Sequence, residues 1–167
     1  RLRRSAMADD VRTLLVSGDV LAGILSAEKT DASAVKTLCE QRLIPIGSER
    51  RAKAALIETG RHRLRQINAT LATVQWKLGS VTDEARRKTM EAEREGLTLE
   101  LEGEERSYRA VRTAHDALDR RIVQHETLAQ LATLQFSAYS ALYNALSADM
   151  ERAIQLHGAV ASSLDGL

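Results

Sequence analysis

Residues 108–164 read YRAVRTAHDALDRRIVQHETLAQLATLQFSAYSALYNALSADMERAIQLHGAVASSL. Within them Tyr108, Val111, His115, Leu118, Ile122 and His125 step by threes and fours. The stepping continues through Ala129, Ala132, Phe136, Tyr139, Tyr143, Leu146, Met150, Ala153, His157, Val160 and Leu164. Such alternation places every one of these residues on a single helical face, and none is charged. The stretch therefore predicts one long helix with a continuous seam.

Part of it is unusual. The 22 residues between Glu126 and Asp149 carry no charge on any face, whereas Thr82 to Glu126 hold 21 charged side chains. Surface helices carry charge, so six turns without it predict enclosure by the chain itself, by copies of it or by lipid. Besides the seam above, Leu128, Leu131, Ala138, Leu142 and Ala145 form a second one, interrupted by Gln135. Gln130, Thr133, Ser137, Ser140, Asn144 and Ser147 form a polar stripe without charge. Two apolar seams predict at least two neighbouring helices, with Leu128, Leu131, Phe136, Tyr139, Leu142, Tyr143 and Leu146 as candidate interface residues.

Working toward the N-terminus, Gly79 and Ser80 mark a turn, with Ser80 or Thr82 as the expected cap and Asp83 and Glu84 near the helix start. Before the turn, Ile57, Leu64, Ile67, Leu71, Val74, Leu78 and Val81 form a heptad seam broken at Gly60. Residues 48–79 carry seven basic and two acidic side chains, and 82–105 carry four basic and nine acidic. The two arms are electrostatic complements. An antiparallel hairpin about Gly79 would set Arg61 near Glu100 and Arg65 near Glu95.

Further back, the single proline, Pro45, predicts either a helix end near Ile44 or a kink there; with an end, 31–44 reads as a short helix capped by Asp31, with Val35, Leu38 and Cys39 on it. Residues 8–27 read as a docked N-terminal helix with Val11, Leu14, Gly18, Leu21 and Leu25 on one face. Leu97, Leu99 and Leu101 alternate with polar residues as in a strand, but strong helix formers on both sides favour an unbroken helix over 82–165.

Composition agrees with an all-α chain. Ala (25) and Leu (23) dominate its 167 residues, and there are only five aromatic residues. The expected architecture is a single elongated domain, an antiparallel coiled-coil hairpin (48–79 and 82–165) joined to a three- or four-helix bundle. In that bundle Val11, Leu14, Leu21, Leu25, Val35 and Leu38 cover both seams between Leu128 and Leu146. The chain begins at Arg1 and its seam still runs at Leu164, which predicts a longer parent protein.

No Gly-rich phosphate loop, GxSxG, HExxH or shared Cys–His motif is present, so no enzyme, catalytic residue or cofactor is expected. His115, His125 and His157 lie on the seam with no two on adjacent turns and no Glu three residues before any of them, so no metal is expected either. If these rings are buried and neutral, protonation below about pH 6 loosens the seam. A basic run, Arg61, His62, Arg63 and Arg65 with Arg50, Arg51 and Lys53 upstream, is neutralised by the acidic arm, and Trp76 is the one stacking aromatic near it. Nucleic acid is therefore not the expected partner. Net charge is +1, which gives no global steering field. The lone Cys39 excludes an internal disulfide and favours a reducing compartment such as the cytoplasm.

What this leaves is a non-enzymatic coiled-coil interaction or scaffolding module, binding a protein partner or self-associating through its helical seams. A second expectation is a membrane-inserting or membrane-remodelling helical protein using 127–148, in the manner of pore-forming toxins or translocators. Gln130, Gln135 and Asn144 oppose insertion of a single copy.

Overall fold

A computed structural model describes residues 2–165, with side chains described over 9–163. Leu164, the last expected seam residue, lies outside the described side chains. Two helices make up nearly all of the described chain: α1, Leu2–Leu78, and α2, Glu84–Asp165. No strand occurs among the described residues. Leu97 and Leu101 turn inward and Leu99 turns out to solvent, as a helix requires and a strand does not.

The expected breaks in α1 do not form. Asp31 is an exposed residue inside the helix, and Pro45 lies within it as well. A proline inside a helix removes one hydrogen bond and clashes with the preceding turn, a cost of about 3 kcal/mol. Pro45 faces solvent, where the carbonyl it frees can take water, while Cys39 and Ile46 on either side are buried and Leu43 is half-buried. Burial of that seam offsets the local cost. Helices 8–27, 31–44 and 48–79 are thus consecutive parts of one helix.

The inward face of α1 is a heptad row. Val11, Leu15, Gly18, Ala22 and Leu25 turn inward, and the same repeat brings Lys29, Ala32, Lys36, Cys39 and Ile46 inward. Leu14 and Leu21, expected on this face, are instead 54% and 51% exposed. Val11, Gly18 and Leu25 lie inward as expected, and at the two misassigned positions the neighbours Leu15 and Ala22 lie inward instead. Farther along, Ile67 and Val74 are buried and Leu64, Leu71 and Leu78 are half-buried. On α2 every expected seam residue from Tyr108 to Val160 is buried or half-buried except Phe136, which is 39% exposed.

The helices pack in two units: Arg1–Gln41 with His125–Leu167, and Arg42–Gln124. In the first, Gly18 lies against Met150, and the Lys29 ammonium stands 5.6 Å and 5.5 Å from the ring centres of Phe136 and Tyr143. In the second, Gly60 lies against Tyr108, Arg63 reaches Glu100 and Glu104, and Arg50 reaches Asp119. Sequence numbers rise on one helix as they fall on the other, so both pairs are antiparallel. A Cβ on Gly18 would stand 2.6 Å from the Met150 sulfur, and one on Gly60 3.2 Å from the Tyr108 ring. These glycines are seam positions where a large side chain from α2 fits against bare backbone. Gly60 does not break the seam.

The turn is Gly79 to Asp83. Ser80 donates through both its amide and its hydroxyl to the Lys77 carbonyl, which closes the end of α1. Asp83, rather than Ser80 or Thr82, caps α2, its carboxylate accepting from the Ala85 amide at 3.2 Å. Neither Arg61–Glu100 nor Arg65–Glu95 forms. Arg63 takes Glu100 and Glu104, each at 3.4 Å, while Arg61 bonds Glu58 on its own helix. The register differs because the five-residue turn displaces the pairing toward higher numbers on α2.

Candidate protein interaction surface

Writing the inward rows as heptad positions a and d, the e positions Ser33 and Thr133 line one groove of the first unit together with Ala32, Lys36, Ala132 and Phe136. In an antiparallel pair the e positions of both helices share one side, which leaves the g positions of both on the other. That other side is open and largely apolar, with Glu28, Asp31 and Gln135 among its exposed residues. From α1 it carries Leu14, Leu21, Ile24, Val35 and Leu38, all about half exposed. From α2 it carries Leu128 at 48%, Leu131 at 51% and Leu142 at 56%, with exposed Ala138 and Ala145 between and beyond them.

The candidate interface residues therefore separate. Tyr139, Tyr143 and Leu146 are half-buried on the face that α1 covers, and Phe136 sits at its margin beside Lys29. Leu128, Leu131 and Leu142 face away from α1. The expectation that the N-terminal residues cover both seams of 127–148 is corrected: α1 covers one, and its own Leu14, Leu21, Val35 and Leu38 are themselves open. A single helix cannot lie along two seams that diverge around a cylinder.

The polar stripe of 127–148 is partly self-satisfied. Thr133 and Ser137 donate their hydroxyls to the carbonyls four residues earlier, of Ala129 and Thr133, at 2.9 and 3.0 Å. Those hydroxyls need no partner from outside. Among the described residues no helix is long and apolar enough to cross a membrane.

Other constellations resolve into local pairs. His115 is half-buried with its Nδ1 3.4 Å from Asp119 and 3.8 Å from Asp116. The His125 Nδ1 is buried without a hydrogen-bond partner. His115, Asp116 and Asp119 bring three potential metal ligands within 4.8 Å of one another. The i, i+4 spacing of His115 and Asp119 is a pairing that the sequence reading passed over. Asp119 is also bonded by Arg50, and a guanidinium on the same carboxylate repels a second cation. Of the basic run, Arg50, Arg61 and Arg63 each meet a carboxylate.

Comparisons with protein-family models, with curated proteins and with solved structures found no match to this chain.

Proposed function

We infer that this chain is a non-enzymatic coiled-coil interaction or scaffolding module, and that the open face of its first unit receives another protein. The observation that carries the reading is the row Leu128, Leu131 and Leu142 on a segment without charge, beside which α1 exposes Leu21 and Ile24, and Val35 and Leu38, on either side of Glu28 and Asp31. Isolated exposed leucines are ordinary on protein surfaces, but a contiguous apolar strip on a charge-free helix marks a contact surface. Its occupant would turn the two-helix layer into the thicker three- or four-helix body that the two seams call for. Each of these leucines is already about half covered, so burying the rest contributes about 0.7 to 1.5 kcal/mol apiece, and association takes several such contacts together.

The test is chemical cross-linking in cells of origin, comparing the wild-type chain with a Leu128→Asp, Leu131→Asp, Leu142→Asp variant. Loss of cross-linked species, including copies of the chain, in the variant supports the reading. An unchanged cross-linking pattern contradicts it. The lack of charge over 127–148 also favours membrane insertion or remodelling, as an oligomer, and dye release from liposomes tests that alternative.

A further inference from the structure

We propose that the first unit pairs with a second copy of itself through α2, antiparallel, about a two-fold axis beside Gln135 and Ala138. This rests on the interaction reading above and names its occupant.

Three features of the face point to a second copy. The first is symmetry. Leu128, Leu131, Gln135, Ala138, Leu142 and Ala145 are separated by three, four, three, four and three residues, so the spacing, though not the residue order, is the same in both directions. Laid antiparallel on itself it sets Leu131 against Leu142 twice, Leu128 against Ala145 twice, and Gln135 beside Ala138 at the centre. That is the self-complementarity a two-fold interface requires. Large residues meet large or small ones, with no pair of bare alanines.

The second feature is charge. The matching row on α1 is Leu21, Ile24, Glu28, Asp31, Val35 and Leu38, with two carboxylates at its middle. Packing α1 on its own copy would bring four carboxylates together, and packing it on α2 would bury Glu28 and Asp31 against Gln135 and Ala138. Both arrangements strand buried charge. The α2 row carries none, so α2 on α2 is the pairing without that penalty. Gln135, close to the axis, can bond its amide to its copy and fix the register, as a single polar residue does in a coiled-coil seam.

The third is extent. Twenty-two uncharged residues make a helical face about 33 Å long and about 10 Å wide. Two such faces together bury roughly 660 Å², the size of a weak, transient interface rather than a permanent one. The pairing is accordingly a reversible one.

Disulfide mapping tests it on the full chain in a Cys39→Ala background, with Leu131→Cys and Leu142→Cys in separate proteins. Antiparallel pairing predicts that the mixture oxidises to a mixed 131–142 dimer, at least tenfold over either protein alone. In each protein alone the two copies of the cysteine would lie about 16 Å apart along the axis at about 1.5 Å per residue, beyond disulfide reach. Circular dichroism first establishes that each variant keeps its helicity, and Leu131→Gln with Leu142→Gln, a milder change, should cut association by a similar factor. A 131–131 dimer, or no dimer in any mixture, overturns the proposal. The broader reading stands or falls separately on whether any protein is cross-linked through Leu128, Leu131 and Leu142.

Discussion

Single residues on the inward rows are chosen by the size of what faces them. Gly60 takes the Tyr108 ring and Gly18 takes Met150, whereas nothing stands within 4 Å of a Cβ built on Gly23. Gly60→Leu should therefore force the helices apart and lower stability by about 1 to 3 kcal/mol. Gly23→Ala should instead raise it by about 0.5 to 1 kcal/mol through helix propensity alone. Thermal melts of the two variants check the pair, and a melt unchanged by Gly60→Leu would deny the close approach to Tyr108. His125 offers another reading at this scale. A buried ring nitrogen without a partner costs about 1 to 3 kcal/mol, so His125→Leu should melt higher, and a lower melt would mean that the nitrogen is bonded after all.

At the scale of elements, the length of α1 is the result that local signals misjudge most. Proline at 45 and aspartate at 31 are ordinary boundary residues, yet the heptad row runs past both, and its burial outweighs them. Pro45→Ala should restore a hydrogen bond at an exposed position and stabilise the helix by about 1 to 3 kcal/mol, measured by urea denaturation. A destabilised variant would show that the helix depends on a bend there. The seam of α2 was legible residue by residue, because its inward positions carry tyrosine, leucine, isoleucine and methionine. The N-terminal half of α1 was legible only in part: Val11, Gly18 and Leu25 lie inward as expected, but Ala22, Lys29 and Lys36 lie inward as well while Leu14 and Leu21 lie outward. Lys29 escapes a hydrophobicity pattern altogether: its partners are the faces of Phe136 and Tyr143, which only the fold brings together. The second seam, Leu128, Leu131 and Leu142, was visible in the sequence as a seam, but which neighbour covers it depends on how many helices the chain supplies. It supplies one neighbour.

For the whole molecule the consequence is that the chain covers one of its two apolar faces internally and leaves the other exposed. The charge-free segment that opens the sequence to interpretation is half satisfied by α1 and half open. Leu142→Asp, which would wreck a helix packed on both seams, should leave the melt of the isolated chain within about 0.5 kcal/mol, since Leu142 is 56% exposed. Sedimentation equilibrium over a range of micromolar concentrations, on the wild type and on a Leu131→Asp, Leu142→Asp variant, tests the central claim most directly. The open face acting as a homotypic contact predicts a mass that rises with concentration from one chain of 18.4 kDa toward two, and a variant that stays at one chain with full helicity. A wild type that stays at one chain throughout, or a variant that still associates, would contradict it.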